Sequence, residues 1–217
     1  MGKQMKIGEW LDVWFETYAK PVYASNTLRL YMDARERMQR SSPGIEEWEL
    51  EDLLPVHFQT VMNRMAERYA KSTIRHIQSL YRMSYDKAMD NGLCSTNPID
   101  KTTLPKNAAV KKVVAMTKEE QESFVQAMRM LTIKDQFTLM TYLLTGLRRG
   151  ELKNLRWNDY DKSRKVLYIR RSKTKSGIRE VPVIPEVALI LAHLWAWKRN
   201  KKDLNSYIFG NEEPLNV

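Results

Sequence analysis

The sequence predicts a mainly α protein in two portions, an N-terminal bundle of four helices followed by a mixed α/β portion built on a small antiparallel sheet. Three observations predict it. Apolar residues recur at helical spacing through the first hundred positions, a lysine-bearing stretch without periodicity follows, and two strand-like runs then flank a basic turn. At 217 residues the chain is long enough for two modest cores.

Ile7, Trp10, Leu11, Trp14, Phe15 and Tyr18 share one helical face, and Lys20-Pro21 ends it. Ser25 is a candidate N-cap for a second helix over 25–40, with Leu28, Tyr31, Ala34 and Met38 inward and Ser41-Ser42-Pro43-Gly44 as its break. The acidic run Glu46, Glu47, Glu49, Glu51 and Asp52 lacks metal-ligand spacing and is interleaved with Trp48, Leu50 and Leu53, so a solvated turn is expected there. Pro55 opens a third helix with Phe58, Val61, Met62, Met65 and Tyr69. A fourth follows Ser72-Thr73, with Ile74, Ile77, Leu80, Tyr81 and Ala88 inward, and closes at Asn91-Gly92. The expected division is a helical domain over 1–106, a linker over 107–115, and a second domain over 116–217.

In the second domain Thr117 and Glu120 make a capping box for a helix with Phe124, Val125 and Met128 inward. An apolar helix over 134–145 (Phe137, Leu139, Met140, Tyr142, Leu143, Leu144) runs into Gly146, which can take φ > 0 and end it. A short helix then carries Arg148, Arg149, Glu151 and Leu152. Asn158-Asp159-Tyr160-Asp161 is a turn whose two aspartates lack a third metal ligand. Strands over 165–171 and 179–184 form a hairpin with a basic tip. Pro185 starts a helix with Val187, Leu189, Ile190, Leu191, Leu194 and Trp195, and Tyr207-Ile208-Phe209 is a final strand.

Charge narrows the function. The formal net charge is +10; residues 1–105 hold 14 basic and 14 acidic side chains, and 106–217 hold 22 and 12. This favours a polyanion gripped chiefly by the second domain. The longest uncharged apolar run, 187–197, is too short to span a bilayer, the N-terminus has no apolar signal core, and the single Cys94 excludes an internal disulfide and a multi-cysteine zinc site. A cytoplasmic protein without metal is expected. Arg64, Arg68, Lys71 and Arg75 give the charge-balanced helical domain a positive helix face, and Lys111 and Lys112 stand in the linker. Eight basic residues and one acid lie between 162 and 180, among them Arg170, Arg171, Lys173, Lys175 and Arg179. Lysine suits such a tip because its ammonium is mobile and can give up a proton, which a guanidinium cannot. The arginines at the Gly146 junction suit a phosphate, since each presents a fixed fork of N–H donors.

Thr145-Gly146-Leu147-Arg148-Arg149-Gly150-Glu151-Leu152, with Leu155 and Trp157, the Lys173-Thr174-Lys175 hairpin, Val181-Pro182 and Tyr207-Ile208-Phe209, resembles the tyrosine recombinase (phage integrase) family over nearly the whole chain. The resemblance implies a SAM-like core-binding bundle followed by the N-terminal portion of the family's catalytic domain, and site-specific cleavage and rejoining of double-stranded DNA through a 3′-phosphotyrosine, without a cofactor. It further implies a homotetramer on two DNA segments, with directionality or bending proteins as possible partners. By this resemblance Arg148 binds the scissile phosphate, Glu151 orients it, and Lys173, or Lys175 in another register, protonates the leaving 5′ oxygen; Arg149 falls on a variable position and is expected to touch the backbone. The family's His-x-x-Arg box is missing: positions three after the histidines are Thr60, Ser79 and Ala196. Tyr207 lies on the strand that precedes that box, so no nucleophile is expected in this chain. The chain is therefore expected to bind DNA without cleaving it. The alternative is a naturally truncated homologue that acts only as a DNA-binding or regulatory protein.

Overall fold

The computed structural model describes residues 5–110, 114–172, 175–198 and 203–210. The chain divides into two units, Met1–Val114 and Ala115–Val217.

The first unit holds helices α1 (Ile7–Trp14), continued by a π-turn over Phe15–Ala19, α2 (Ser25–Ser41), α3 (Pro55–Met65) and α4 (Lys71–Asp90). The periodic residues account for its core: Ile7, Leu11, Trp14, Met38, Phe58, Met62, Ile74, Ile77, Leu80 and Tyr81 are buried together. Ser25, expected as the N-cap of α2, is instead its first residue; Ala24 is the N-cap and no side chain caps the helix. Pro55 opens α3, where its missing N–H costs nothing. The acidic run follows expectation at Glu47, Glu51 and Asp52, which are exposed, and departs from it at Glu46. Two 3₁₀ turns, Ile45–Glu47 and Leu50–Asp52, tuck Ile45 and Leu50 into the core. Glu46 is drawn in with them and binds Arg35 with both oxygens, 2.8 and 2.7 Å away, so this carboxylate is an internal ion-pair partner and not a solvated one.

The second unit holds α5 (Lys118–Met128), α6 (Ile133–Thr145), α7 (Arg149–Lys153), strands β1 (Tyr160–Asp161), β2 (Val166–Ile169) and β3 (Arg179–Pro182), and α8 (Pro185–Trp197). Thr117 accepts from the Glu120 amide and Glu120 accepts from the Thr117 amide, closing the expected box. The strands form one antiparallel sheet in the order β1-β2-β3, with Leu167 opposite Val181 and Ile169 opposite Arg179. Leu167, Ile169, Val181, Val187, Leu191, Leu152, Leu155 and Phe209 make the core between sheet and helices.

Several apolar side chains of the predicted helices face out here, and of these Val125 was expected inward. Val125, Leu143, Leu144 and Leu189 are exposed, whereas α6 buries Thr138 and Thr141. Those threonines donate to the carbonyls of Lys134 and Phe137 at 2.8 Å, which satisfies their hydroxyls inside the helix. The strand expected over 207–209 is reduced to an isolated bridge, Arg156 to Tyr207, and Ile208 and Phe209 are buried in the core. No helix among the described residues is long and apolar enough to cross a membrane.

Candidate phosphate-binding site

Gly146 ends α6 at φ 61°, a left-handed turn that a side chain would strain. The chain reverses there and α7 starts three residues later, with Arg148 as its N-cap. Leu147 and Leu152 are buried on either side. The junction is thus pinned by its apolar residues, while Arg148 and Arg149 are left at the surface.

Glu151 is the centre of the polar cluster. Its side chain is 3 % exposed. Its Oε2 accepts from the Arg148 backbone N–H at 2.9 Å, closing a capping arrangement at the start of α7, and its Oε1 accepts from Arg148 Nη1 at 2.8 Å. Arg179, from the first position of β3, grips both oxygens, Nη1 to Oε1 at 3.1 Å and Nη2 to Oε2 at 2.9 Å. Ser172 donates its hydroxyl to Oε1 at 3.1 Å. Burial alone would raise the carboxyl's pKa, but hydrogen bonds from Arg179, the Arg148 amide, the Arg148 guanidinium and Ser172 outweigh it and hold the group down at about 2. The site therefore contains a fixed negative charge at neutral pH.

That charge organises cations around it. The Arg148 side chain is 62 % exposed, so a guanidinium anchored at one nitrogen keeps most of its donors facing solvent. A fixed fork of this kind suits a phosphate oxygen pair. Gly177 closes the arrangement from the hairpin. A Cβ at that position would collide with the Ser172 side chain and lie 3.1 Å from Arg148 Nη1, so only glycine lets the hairpin turn sit this close.

The sequence-predicted residues separate into groups. Arg148, Glu151 and Arg179 come together, although Arg179 was expected on DNA and its donors instead go to Glu151 and the Gly177 carbonyl. A carboxylate buried at that depth requires a counter-charge, and β3 begins directly beside it, which explains the difference. Arg149 is exposed at the first position of α7. Arg170 donates its Nε to Asp159 at 2.9 Å, and Arg171 is exposed. Lys175 opens a 3₁₀ turn, Lys175–Gly177, between the strands. Lys173, Lys111 and Lys112 lie outside the described residues. In the first unit Arg64, Arg68 and Arg75 are exposed and Lys71 is half-buried.

Sequence reasoning missed Ser172 as a donor to Glu151 and Asp159 as the partner of Arg170. A serine just before the hairpin lysine carries no signature of its own, and an aspartate in a turn is explained locally by capping. Asp161 does behave that way, accepting from the Ser163 and Arg164 amides at 3.0 and 2.9 Å.

Comparison with known proteins gives this geometry a setting. Residues 115–216 match the model of the phage integrase family. A XerC-like tyrosine recombinase of Caldanaerobacter subterraneus is 27 % identical over 137 residues, 60 % of this chain and 33 % of the relative. The transposase of transposon Tn916 from Enterococcus faecalis is 28 % identical over 158 residues, 64 % of this chain and 39 % of the relative. The alignments thus take in between a third and two fifths of these relatives. Among solved structures, a Tn1549 transposon integrase in complex with circular intermediate DNA matches 97 % of this chain and 73 % of its own with a TM-score of 0.73 at 18 % identity. A lambda integrase dimer bound to a core site matches 99 % of this chain and 60 % of its own with a TM-score of 0.75 at 22 % identity. At such identities the likeness is one of fold. A family match that starts at the boundary of the second unit and runs through the Arg148 junction and the hairpin, together with recombinase and transposase relatives at 27 and 28 % identity, identifies residues 115–216 of this chain as a phage integrase family segment.

Proposed function

We propose that the chain is the DNA-binding and phosphate-gripping portion of a site-specific recombinase of a mobile element. Residues 1–106 act as a SAM-like core-binding module, 107–115 as a basic linker, and 116–217 as the N-terminal portion of the catalytic domain. The observation that carries this reading is the exposed Arg148 guanidinium held on the buried carboxylate of Glu151. Such a fork binds a backbone phosphate and stabilises the charge that builds on it when phosphorus is attacked. Glu151 orients the arginine and stays ionised, so it is not the proton carrier. Lys173 is the proton donor to the leaving 5′ oxygen, with Lys175 as the residue in the neighbouring register. Arg179 is a positioning residue on Glu151. Arg64, Arg68, Lys71, Arg75, Lys111, Lys112, Arg149, Arg170, Arg171 and Lys175 contribute charge along the backbone.

The DNA in the solved complexes of the fold neighbours supports duplex DNA as the partner, and a tetramer on two segments is the assembly the family suggests. No His-x-x-Arg spacing occurs in the 217 residues, so these residues by themselves bind DNA without attaching to it covalently. Fluorescence anisotropy over a salt series tests the binding. Duplex DNA is expected to outcompete single strands, and Arg148→Ala to flatten the plot of log affinity against log salt by about 1. Equal binding to single strands, or an unchanged slope, overturns the reading. A suicide-substrate assay tests the second statement, where recovery of a covalent protein–DNA adduct refutes it.

A further inference from the structure

Adjoining the Arg148 cluster, and sharing Glu151 with it, lies a cleft of about 230 Å³ walled in part by Asn154, Asn158, Asp159, Arg170 and Arg171. Asp159 repeats the logic of Glu151. Its side chain is 10 % exposed, its Oδ2 accepts from the Arg156 backbone N–H at 2.9 Å, and its Oδ1 accepts from Arg170 Nε at 2.9 Å. Arg170 itself is 63 % exposed. Only its Nε is engaged among the described residues, and its guanidinium rests 5.2 Å from the centre of the Tyr168 ring. Both terminal nitrogens are therefore left to donate outward from a side chain fixed at its neck and along its face.

The neighbouring arginines are used differently. Arg156 donates to the Asn205 carbonyl at 2.6 Å and the Tyr207 hydroxyl at 2.9 Å, and lies over the Tyr207 ring, so it ties the 205–207 segment down. Arg164 is neutralised by Glu180. Arg170 is anchored at Nε yet, among the described residues, keeps its outward donors open, with the exposed Arg171 next to it.

We infer that this cleft binds a second phosphate of the duplex backbone through Arg170, and that Asp159 is the positioning residue that sets the Arg170 fork. The inference rests on the duplex-binding reading above. It makes a prediction whose sign is opposite to that of bulk electrostatics. Removing an acid from a DNA-binding surface should tighten binding, whereas releasing a pre-set fork should weaken it.

The test is duplex affinity over a salt series for Asp159→Asn, Arg170→Ala and the pair, with thermal melts to verify folding. Arg170→Ala is expected to lower the salt slope by about 1. Asp159→Asn is expected to weaken binding in the unmodified chain, and to leave it unchanged or tighter once Arg170 is alanine. Tighter binding by Asp159→Asn alone, or equal weakening in both backgrounds, overturns the inference. Arg170→Lys keeps the charge and leaves Asp159 in place, so it serves if Asp159→Asn does not fold. It should lose affinity, and full affinity would overturn the fork. If the unmodified chain binds no duplex, the functional reading and this inference fall together; duplex binding without coupling between the two positions removes this inference alone.

Discussion

Two buried carboxylates, one in each unit, take arginine partners and use them in opposite directions. Glu46 and Arg35 are both mostly inside, at 12 and 21 % exposure. Arg35 also reaches Asp12 and the Gly8 carbonyl, and its hydrogen bonds to Glu46 hold it charged more firmly than an ordinary arginine. Glu151 is buried more deeply, yet Arg148 points most of its surface to solvent. The first pair joins α1, α2 and the 45–47 turn. The second keeps a cation ready at the surface. What separates the two ion pairs is the exposure of the cation, not that of the carboxylate.

The largest effect expected from breaking this contrast is on the inward pair. Glu46→Ala should lower unfolding free energy by about 3 to 5 kcal/mol, because it strands the half-buried Arg35 with only Asp12 as counter-charge. Urea denaturation measures this, and a loss below about 1 kcal/mol would put the pair in the class of surface bridges.

Glu151→Gln comes next, and pH sharpens it. A carboxyl held at about 2 in the folded chain, against an ordinary 4.5, adds stability that is complete above pH 4.5 and disappears as pH falls towards 2. The lowered value corresponds to about 3 kcal/mol at neutral pH. The urea midpoints of the two proteins should therefore differ at pH 7 and converge between pH 4.5 and 2. A gap that did not change with pH would mean that Glu151 acts by shape and not by charge.

The same contrast marks what the sequence could convey. Helix positions followed from periodicity, since Ile7, Phe58, Ile74 and Leu191 are buried where spacing put them. Gly146 and the Thr117–Glu120 box were legible because their chemistry is local. The outward leucines of α6 were not, because a helix apolar on several sides does not say which face will be covered. Ion-pair partners were the least legible. Arg35 and Glu46 are 11 positions apart, and Arg179 and Glu151 are 28 apart, so nothing in their spacing announces the contact. Arg148 and Glu151, three apart on one helix start, could be paired on sight.

A smaller effect is expected where the hairpin meets the site. Gly177→Ala would push a methyl into Ser172 and displace a donor from Glu151. A cost of about 1 to 3 kcal/mol is expected from that overpacking, together with weaker duplex binding. Ser172→Gly in the same chain should recover some of the stability by removing the colliding atoms. No recovery would place the damage in the backbone of the turn instead.

The smallest effect belongs to the first unit's exposed arginines, where no buried carboxylate fixes the cation. Arg75 stands on α4, one position after the fully buried Ile74, and it has no ion pair among the described residues. Arg75→Ala should leave stability within about 0.5 kcal/mol of the unmodified chain. Its consequence for DNA should be uniform across sequences and visible mainly as a salt slope smaller by about 1. Arg148→Ala is expected to change the slope by a similar amount, so slope alone does not separate an anchored arginine from a loose one. Substitution by lysine does. A loose cation attracting a phosphate through charge tolerates Arg75→Lys, whereas a fork held in place on Glu151 loses its geometry in Arg148→Lys. Equal tolerance of lysine at both positions would erase the distinction between the two units, and with it the idea that burial of Glu151 serves to aim Arg148.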